Sequence, residues 1–258
     1  MKKRQIIFYF FLLVLACSFY FYQNGTMSKH MDEVKESLMV NANEDAKIKQ
    51  VLENYNDYPI ELLEMLSRNL DMIDYVVDYP KKIGHVYSDT IGEIEEGTFP
   101  LLLQYDSRWG YGYYGNKALA INGCGPTALS MVVAGLTNNL SITPYVIATY
   151  ANEKGYYISG SGSSWNLMTE GSLNFGVKGT EIMLTKSLIF QYLKKGNPII
   201  CSMGPGDFTT AGHFIVLVGV EEGKIKVNDP NSKERSSKLW DYETLEPQIK
   251  NLWVFEKA

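Results

Sequence analysis

Residues 122–136 constrain the fold of this chain more than any other stretch. Asn122-Gly123-Cys124-Gly125-Pro126-Thr127 leads directly into residues 128–136, an apolar run of helical length. Pro126 suits the first turn of a helix, where a missing N–H costs nothing. A cysteine at such a helix start faces unsatisfied backbone N–H groups and the positive end of the helix dipole, and both favour thiolate. The flanking glycines leave room for a substrate backbone to approach. The same pattern equally describes a small buried cysteine capping a core helix.

The texture around this stretch is mixed. Thr143-Pro144 starts another helix that ends near Gly155. Residues 185–195 carry Leu188, Ile189, Tyr192 and Leu193 at helical spacing and stop at Gly196. Strands follow at 198–203, 213–220, 224–228 and 252–255, with Glu222-Gly223 as a tight turn between the second and third. Helices come first and antiparallel strands later, so the expected class is α+β.

The N-terminal third is different. Lys2, Lys3 and Arg4 precede residues 6–22, which carry no charge. As a helix those 17 residues span about 25 Å, the short end of what a bilayer needs. Residues 1–23 therefore read as a membrane anchor, with the basic residues inside and the rest of the chain outside the cell. Val14-Leu15-Ala16-Cys17 resembles a bacterial lipobox, and a removed signal peptide is the third possibility. Residues 24–43 are polar and poorly patterned, and read as a stalk. Residues 44–95 form a helical extension. Ile48, Val51, Leu52 and Tyr55 lie on one helix face; Pro59 opens a second helix with Ile60, Leu63 and Leu66. Asn69 caps a third, carrying Met72, Ile73, Val76 and Val77 and closed by Pro80. These short helices are expected to brace the domain at 96–258. A removable pro-segment is the alternative.

The net charge of −5 argues against nucleic acid as a partner, since phosphate binding needs a basic face. No two Cys or His residues have metal-ligand spacing, and no cofactor is expected. Cys17 lies in the export segment, which leaves Cys124 and Cys201; a disulfide between them is the structural reading of both.

Of the three histidines, His30 and His85 fall in the stalk and the extension. His213 opens the apolar strand Phe214-Ile215-Val216-Leu217-Val218, beside the small residues Thr210, Ala211 and Gly212. A His at a strand mouth is well placed to face a cleft, and a nucleophilic Cys needs a base tuned near neutrality. Asp229 stands 16 positions later, at the end of the next strand, and the hairpin returns it to about the level of His213. A carboxylate there would orient the imidazole and stabilise its charged form. Asn228 is the alternative orienter, and Asn-Asp-Pro is also a common turn opener. Upstream, the Gln104 amide is a weak candidate to join the Cys124 backbone N–H in stabilising an oxyanion.

These residues together resemble a known family. Leu103-Gln104-Tyr105-Asp106 with Trp109, then Asn122–Ala128, then Gly212-His213-Phe214-Ile215-Val216-Leu217, then Val227-Asn228-Asp229-Pro230 are similar in order and spacing to the C39-like peptidases of the papain-like clan. Gly160–Trp165 and Gly196-Asn197-Pro198 fit the same pattern. The resemblance covers about residues 99–255. It implies a papain-like fold, in which a helix bearing the nucleophile packs on an antiparallel sheet. It also implies Cys124 as nucleophile, His213 as general base, Asp229 as orienter and Gln104 in the oxyanion hole. Some family members cut leader peptides after a double glycine and are fused to transporter domains; this sequence shows no ATP-binding motif and no multi-span region.

The expected function is an exported, surface-anchored peptidase or amidase acting on peptide or protein. Acyl transfer on the same fold and a catalytically silent binding module are the alternatives. Specificity is expected in residues 111–116 and 159–165, whose aromatics Tyr111, Tyr113, Tyr114 and Trp165 either line a cleft or cover the core.

Overall fold

The structure, a computed structural model, describes residues 29–40 and 45–258. It divides into two compact units, one ending at Val77 and one running from Asp78 to Ala258. No helix among the described residues is long and apolar enough to cross a membrane. The expected anchor at 6–22 lies outside the described residues, as does Cys17.

In the first unit, residues 29–40 are helical, with Val34 and Leu38 buried one turn apart, where an irregular stalk was expected. Helix α1 (Ala46–Glu53) is capped by the Asp45 carboxylate, which accepts the Lys47 N–H, and it buries Ile48 and Val51. Helix α2 (Ile60–Arg68) follows Pro59 and buries Leu62, Leu63 and Leu66. Asn69 caps a single 3-10 turn, Leu70–Met72, rather than a full helix. Helix α3 (Ile73–Lys82) then runs through Pro80 instead of stopping there. Pro80 falls in its last turn, so only one ladder hydrogen bond is forgone near the end.

The second unit is built on a six-stranded antiparallel sheet. Its strands are β1 (Val177–Glu181), β2 (Ile199–Met203), β3 (His213–Glu221), β4 (Lys224–Asn228), β5 (Leu239–Trp240) and β6 (Ile249–Lys257), in the order β1-β6-β2-β3-β4-β5. Helices α4 (Cys124–Thr137) and α5 (Pro144–Glu153) cover one face, and α6 (Lys186–Lys194) the other. Thr143 and Thr185 cap α5 and α6 through their hydroxyls.

Both faces of the sheet are buried, and the strands alternate between two cores. Ile200, Phe214, Val216, Trp253 and Phe255 pack with Leu129, Val132 and Val133 of α4. Ile199, Cys201, Ile215, Leu217, Val227 and Val254 pack with Ile189 and Leu193 of α6. Two-sided burial explains why these strands read as nearly continuous apolar runs. Edge strand β1, Val-Lys-Gly-Thr-Glu, has only Val177 and Gly179 buried, and its sequence gives little strand signal.

The β3–β4 turn has Glu222 at φ 50° and Gly223 at φ 76°. Two consecutive left-handed residues suit the right-handed twist of a hairpin. Residues before the expected domain start also join this unit: Gly84 N–H donates to the Tyr111 carbonyl, Tyr87 N–H to Arg108 and Ile91 N–H to Leu140.

Ile200 is fully buried at the centre of the sheet. Ile200→Ala should lower unfolding stability by about 2–5 kcal/mol in a denaturant melt.

Candidate active site

Helix α4 begins at Cys124, packs against β3, and carries no acidic residue in its first turn. Cys124 is a partly exposed free thiol at the wall of a cleft of about 560 Å³. The other walls come from Asn116 and Lys117 beside one small hairpin, and from Tyr157 and Ser159–Gly162 of a second. Ile121 and Asn122, just before the nucleophile's helix, and Ala211 and Gly212, just before His213, complete the lining. Of the four aromatics expected either to line a cleft or to cover the core, Tyr111 and Tyr114 are fully buried, while Tyr113 and Trp165 are exposed outside the cleft lining. Tyr157 is the aromatic that lines the cleft; it donates to Asn116 at 3.0 Å and accepts from Asn122 at 3.3 Å.

The glycines beside Cys124 serve the protein rather than a substrate. A Cβ on Gly123 would sit 2.4 Å from the Leu119 carbonyl oxygen, and one on Gly125 would sit 2.4 Å from Ser163 Oγ. The Ser163 hydroxyl pairs with that of buried Tyr114 at 2.8 Å, tying the second hairpin to the first.

His213 opens β3 and is buried, with its ring Nε2 2.7 Å from Asp229 Oδ1. The Cys124 side chain is the other group that favours charge on this imidazole. Nε2 is committed to Asp229, so Nδ1 is the atom left for the thiol. A one-residue bulge makes the His–Asp contact possible. Beyond the hairpin turn Gly219 pairs with Lys226, but past the bulge Leu217 pairs with Val227 and Val216 with Asn228. In an antiparallel pair a one-residue slip exchanges the faces. The extra residue, Val218, therefore puts His213 and Asp229 on the same face.

Asp229 is fully buried. Its Oδ1 also accepts the Asn231 N–H at 2.7 Å, so it both opens a turn and holds His213. Its Oδ2 accepts Nε of Arg235 at 2.5 Å. Arg235 sits on a short helix, Lys233–Ser236, whose cap Ser232 accepts the Arg235 N–H at 3.1 Å. Sequence reading missed this residue; the signal was a Ser cap three positions before an Arg, just after the Asp. The Asn228 amide is engaged elsewhere, donating to the Phe99 and Pro100 carbonyls at 3.0 and 3.2 Å.

Gln104 is buried, and its backbone N–H donates to the Pro230 carbonyl at 2.8 Å. Its side-chain Nε2 donates to the Ala120 carbonyl at 2.6 Å, while Oε1 has no partner. Gln104 thus bridges the Asp229 loop to the segment before Cys124. Cys201 is a free thiol buried on β2, where burial pushes its pKa up; it does not pair with Cys124. His85 is exposed, and His30 contacts Glu64 at 2.6 Å in the first unit.

Burial works against charge on His213, but Asp229 outweighs it with help from Cys124, and the imidazole is pushed up to about 10. Burial likewise opposes ionisation of Asp229, and His213 and Arg235 hold its carboxyl below the usual range. The charged imidazole therefore adds stability that is complete below the ordinary histidine value of 6.5 and lost as pH rises through about 10. The Asp229 contribution is present above the ordinary 3.8 and lost as pH falls through the depressed folded value. In urea melts, the stability advantage of wild type over His213→Gln should shrink between pH 7 and pH 10. An advantage that stays constant across that window would contradict the assignment.

Residues 97–256 match the Peptidase_C39 like family. No curated protein matches the chain. Among solved structures, the chain is similar to the peptidase domain of Streptococcus ComA, a bi-functional ABC transporter involved in a quorum sensing pathway. That match has 19% identity and a TM-score of 0.40, covering 53% of this chain and 93% of that one. A Bacillus anthracis protein described as a C39-like peptidase matches at 15% identity and a TM-score of 0.38, covering 53% of this chain and 90% of that one. With the family match spanning more than half of its length, this α+β chain belongs to the C39-like peptidase family.

Proposed function

We propose that this protein is an exported cysteine peptidase, held at the outer face of the cell membrane by residues 6–22, that cleaves peptide bonds with Cys124. One observation carries the reading: an imidazole buried on a carboxylate feels the charge of a cysteine at a helix start, at the wall of a cleft. The cleft volume of about 560 Å³ is in the range of ligand sites. Family membership supports peptidase-type chemistry on a peptide or protein.

In this mechanism His213 and Cys124 rest as an imidazolium–thiolate pair, favoured by Asp229 on one side and the α4 dipole on the other. The Cys124 sulfur attacks the scissile carbonyl carbon, and the oxyanion is met by the Cys124 backbone N–H and Gln104. One Gln104 N–H is taken by Ala120, which leaves its second for this task. The bond to nitrogen then breaks, and His213 gives its proton to the leaving amine. Water, deprotonated by the now neutral His213, attacks the thioester, releasing the acid and restoring the pair. The acyl group leaves on water rather than on a second amine.

An activity-based thiol probe should label the wild-type protein and not Cys124→Ala. Asp229→Asn should slow peptide cleavage by orders of magnitude while the protein stays folded by circular dichroism. Labelling that persists in Cys124→Ala, with Cys201 replaced by Ser, would refute the assignment.

A further inference from the structure

Arg235 is absent from the resemblance that identified the other residues, yet it touches the most buried charge in the site. Each Asp229 oxygen has its own duties. Oδ1 takes His213 Nε2 and the Asn231 N–H, both at 2.7 Å, and Oδ2 takes Nε of Arg235 at 2.5 Å. The Asp229 side chain is 0% exposed and that of Arg235 20%. Arg235 is held from three directions. Ser232 accepts its N–H, Trp240 Nε1 donates to its carbonyl at 3.0 Å, and its guanidinium lies over the Phe208 ring at 5.9 Å. Phe208 belongs to the loop that leads into His213 and is buried with the α6-side core.

We propose that Arg235 is a positioning residue that acts through Asp229: its guanidinium shares the charge of a carboxylate that other contacts also hold in place, and so sets how strongly Asp229 holds a proton on His213. This rests on the role proposed above for His213. Sharing charge and merely propping the carboxylate have opposite consequences, which makes the idea testable. A carboxylate relieved of Arg235 but still in place has His213 as its remaining cationic partner and pulls harder on the proton. A carboxylate that merely loses a prop turns away, and the imidazole drifts back toward its ordinary value.

The charged neighbours on every side are few. His213 faces Asp229 and Cys124; Asp229 faces His213 and Arg235. Arg235 faces Asp229 and, more weakly, Glu234, which Lys238 holds at 2.6 Å. Replacing Cys124 by Ala removes the thiol from this set, which leaves Asp229 and Arg235 to decide the imidazole titration.

The test is a histidine-labelled NMR titration of the full-length chain in detergent micelles, in the Cys124→Ala background. The chain has three histidines, and His213→Gln assigns the relevant signal. Arg235→Gln should move the His213 titration upward, by on the order of one pH unit. Arg235→Lys, which keeps the charge without the fork, should stay close to the parent, and Asp229→Asn should move it downward. A downward move or no move in Arg235→Gln overturns the proposal. Should Arg235→Gln fail to fold, Arg235→Lys decides: a titration near the parent supports the proposal, and one falling to the Asp229→Asn position overturns it. Failure of the peptidase reading is visible separately. An iodoacetamide rate at Cys124 that is unchanged by His213→Gln would remove that reading and leave the Arg235 assignment standing.

Discussion

One buried negative charge organises this end of the molecule. The Asp229 carboxylate has no exposure to water, and an ionised group so placed costs several kcal/mol unless it is matched by charge and hydrogen bonds. His213, Arg235 and the Asn231 N–H supply that match. The demand propagates outward. His213 must open β3, the bulge at Val218 must set its face, and the chain after Asp229 must turn at once into the short helix that returns Arg235. The polar requirement of one side chain thus fixes the path of residues 213–236.

The apolar scaffold meets this cluster from the other direction. Helix α4 lies on the sheet through Leu129, Val132 and Val133, and that packing brings Cys124 to His213. The missing side chains of Gly123 and Gly125 are part of the same fit: Leu119 and Ser163 occupy the space a Cβ would need. The glycines hold the nucleophile's helix in place against the protein, a different role from admitting a substrate backbone.

Much of this was legible in the sequence because it rests on local rules. The Pro at the start of α4, the Thr caps of α5 and α6, and the Glu222-Gly223 turn are short-range signals. Their elements formed within a residue or two of the expected bounds, except that α4 begins at the cysteine itself. What escaped depends on long-range register or on polar residues without a period. Strand β1 carries Lys178, Gly179 and Thr180, and pairing with β6 and the burial of Val177 hold it in place. The helix at 29–40 offers just two buried apolar residues, Val34 and Leu38. The position of Asp229 opposite His213 depended on a bulge that no pattern of apolar residues announces. Arg235 sits in a run of Ser, Lys and Glu that reads as ordinary solvated loop.

The bulge and the short helix place His213, Asp229 and Arg235 within 23 consecutive residues, whereas Cys124 lies far upstream and meets them only through the packing of α4 on β3. The charge cluster is therefore a self-contained cassette, and the nucleophile is delivered to it by a separate part of the chain. Loss of chemistry and loss of fold are consequently separable in this architecture: a small shift of one helix would silence the thiol and leave the ion-paired hairpin standing.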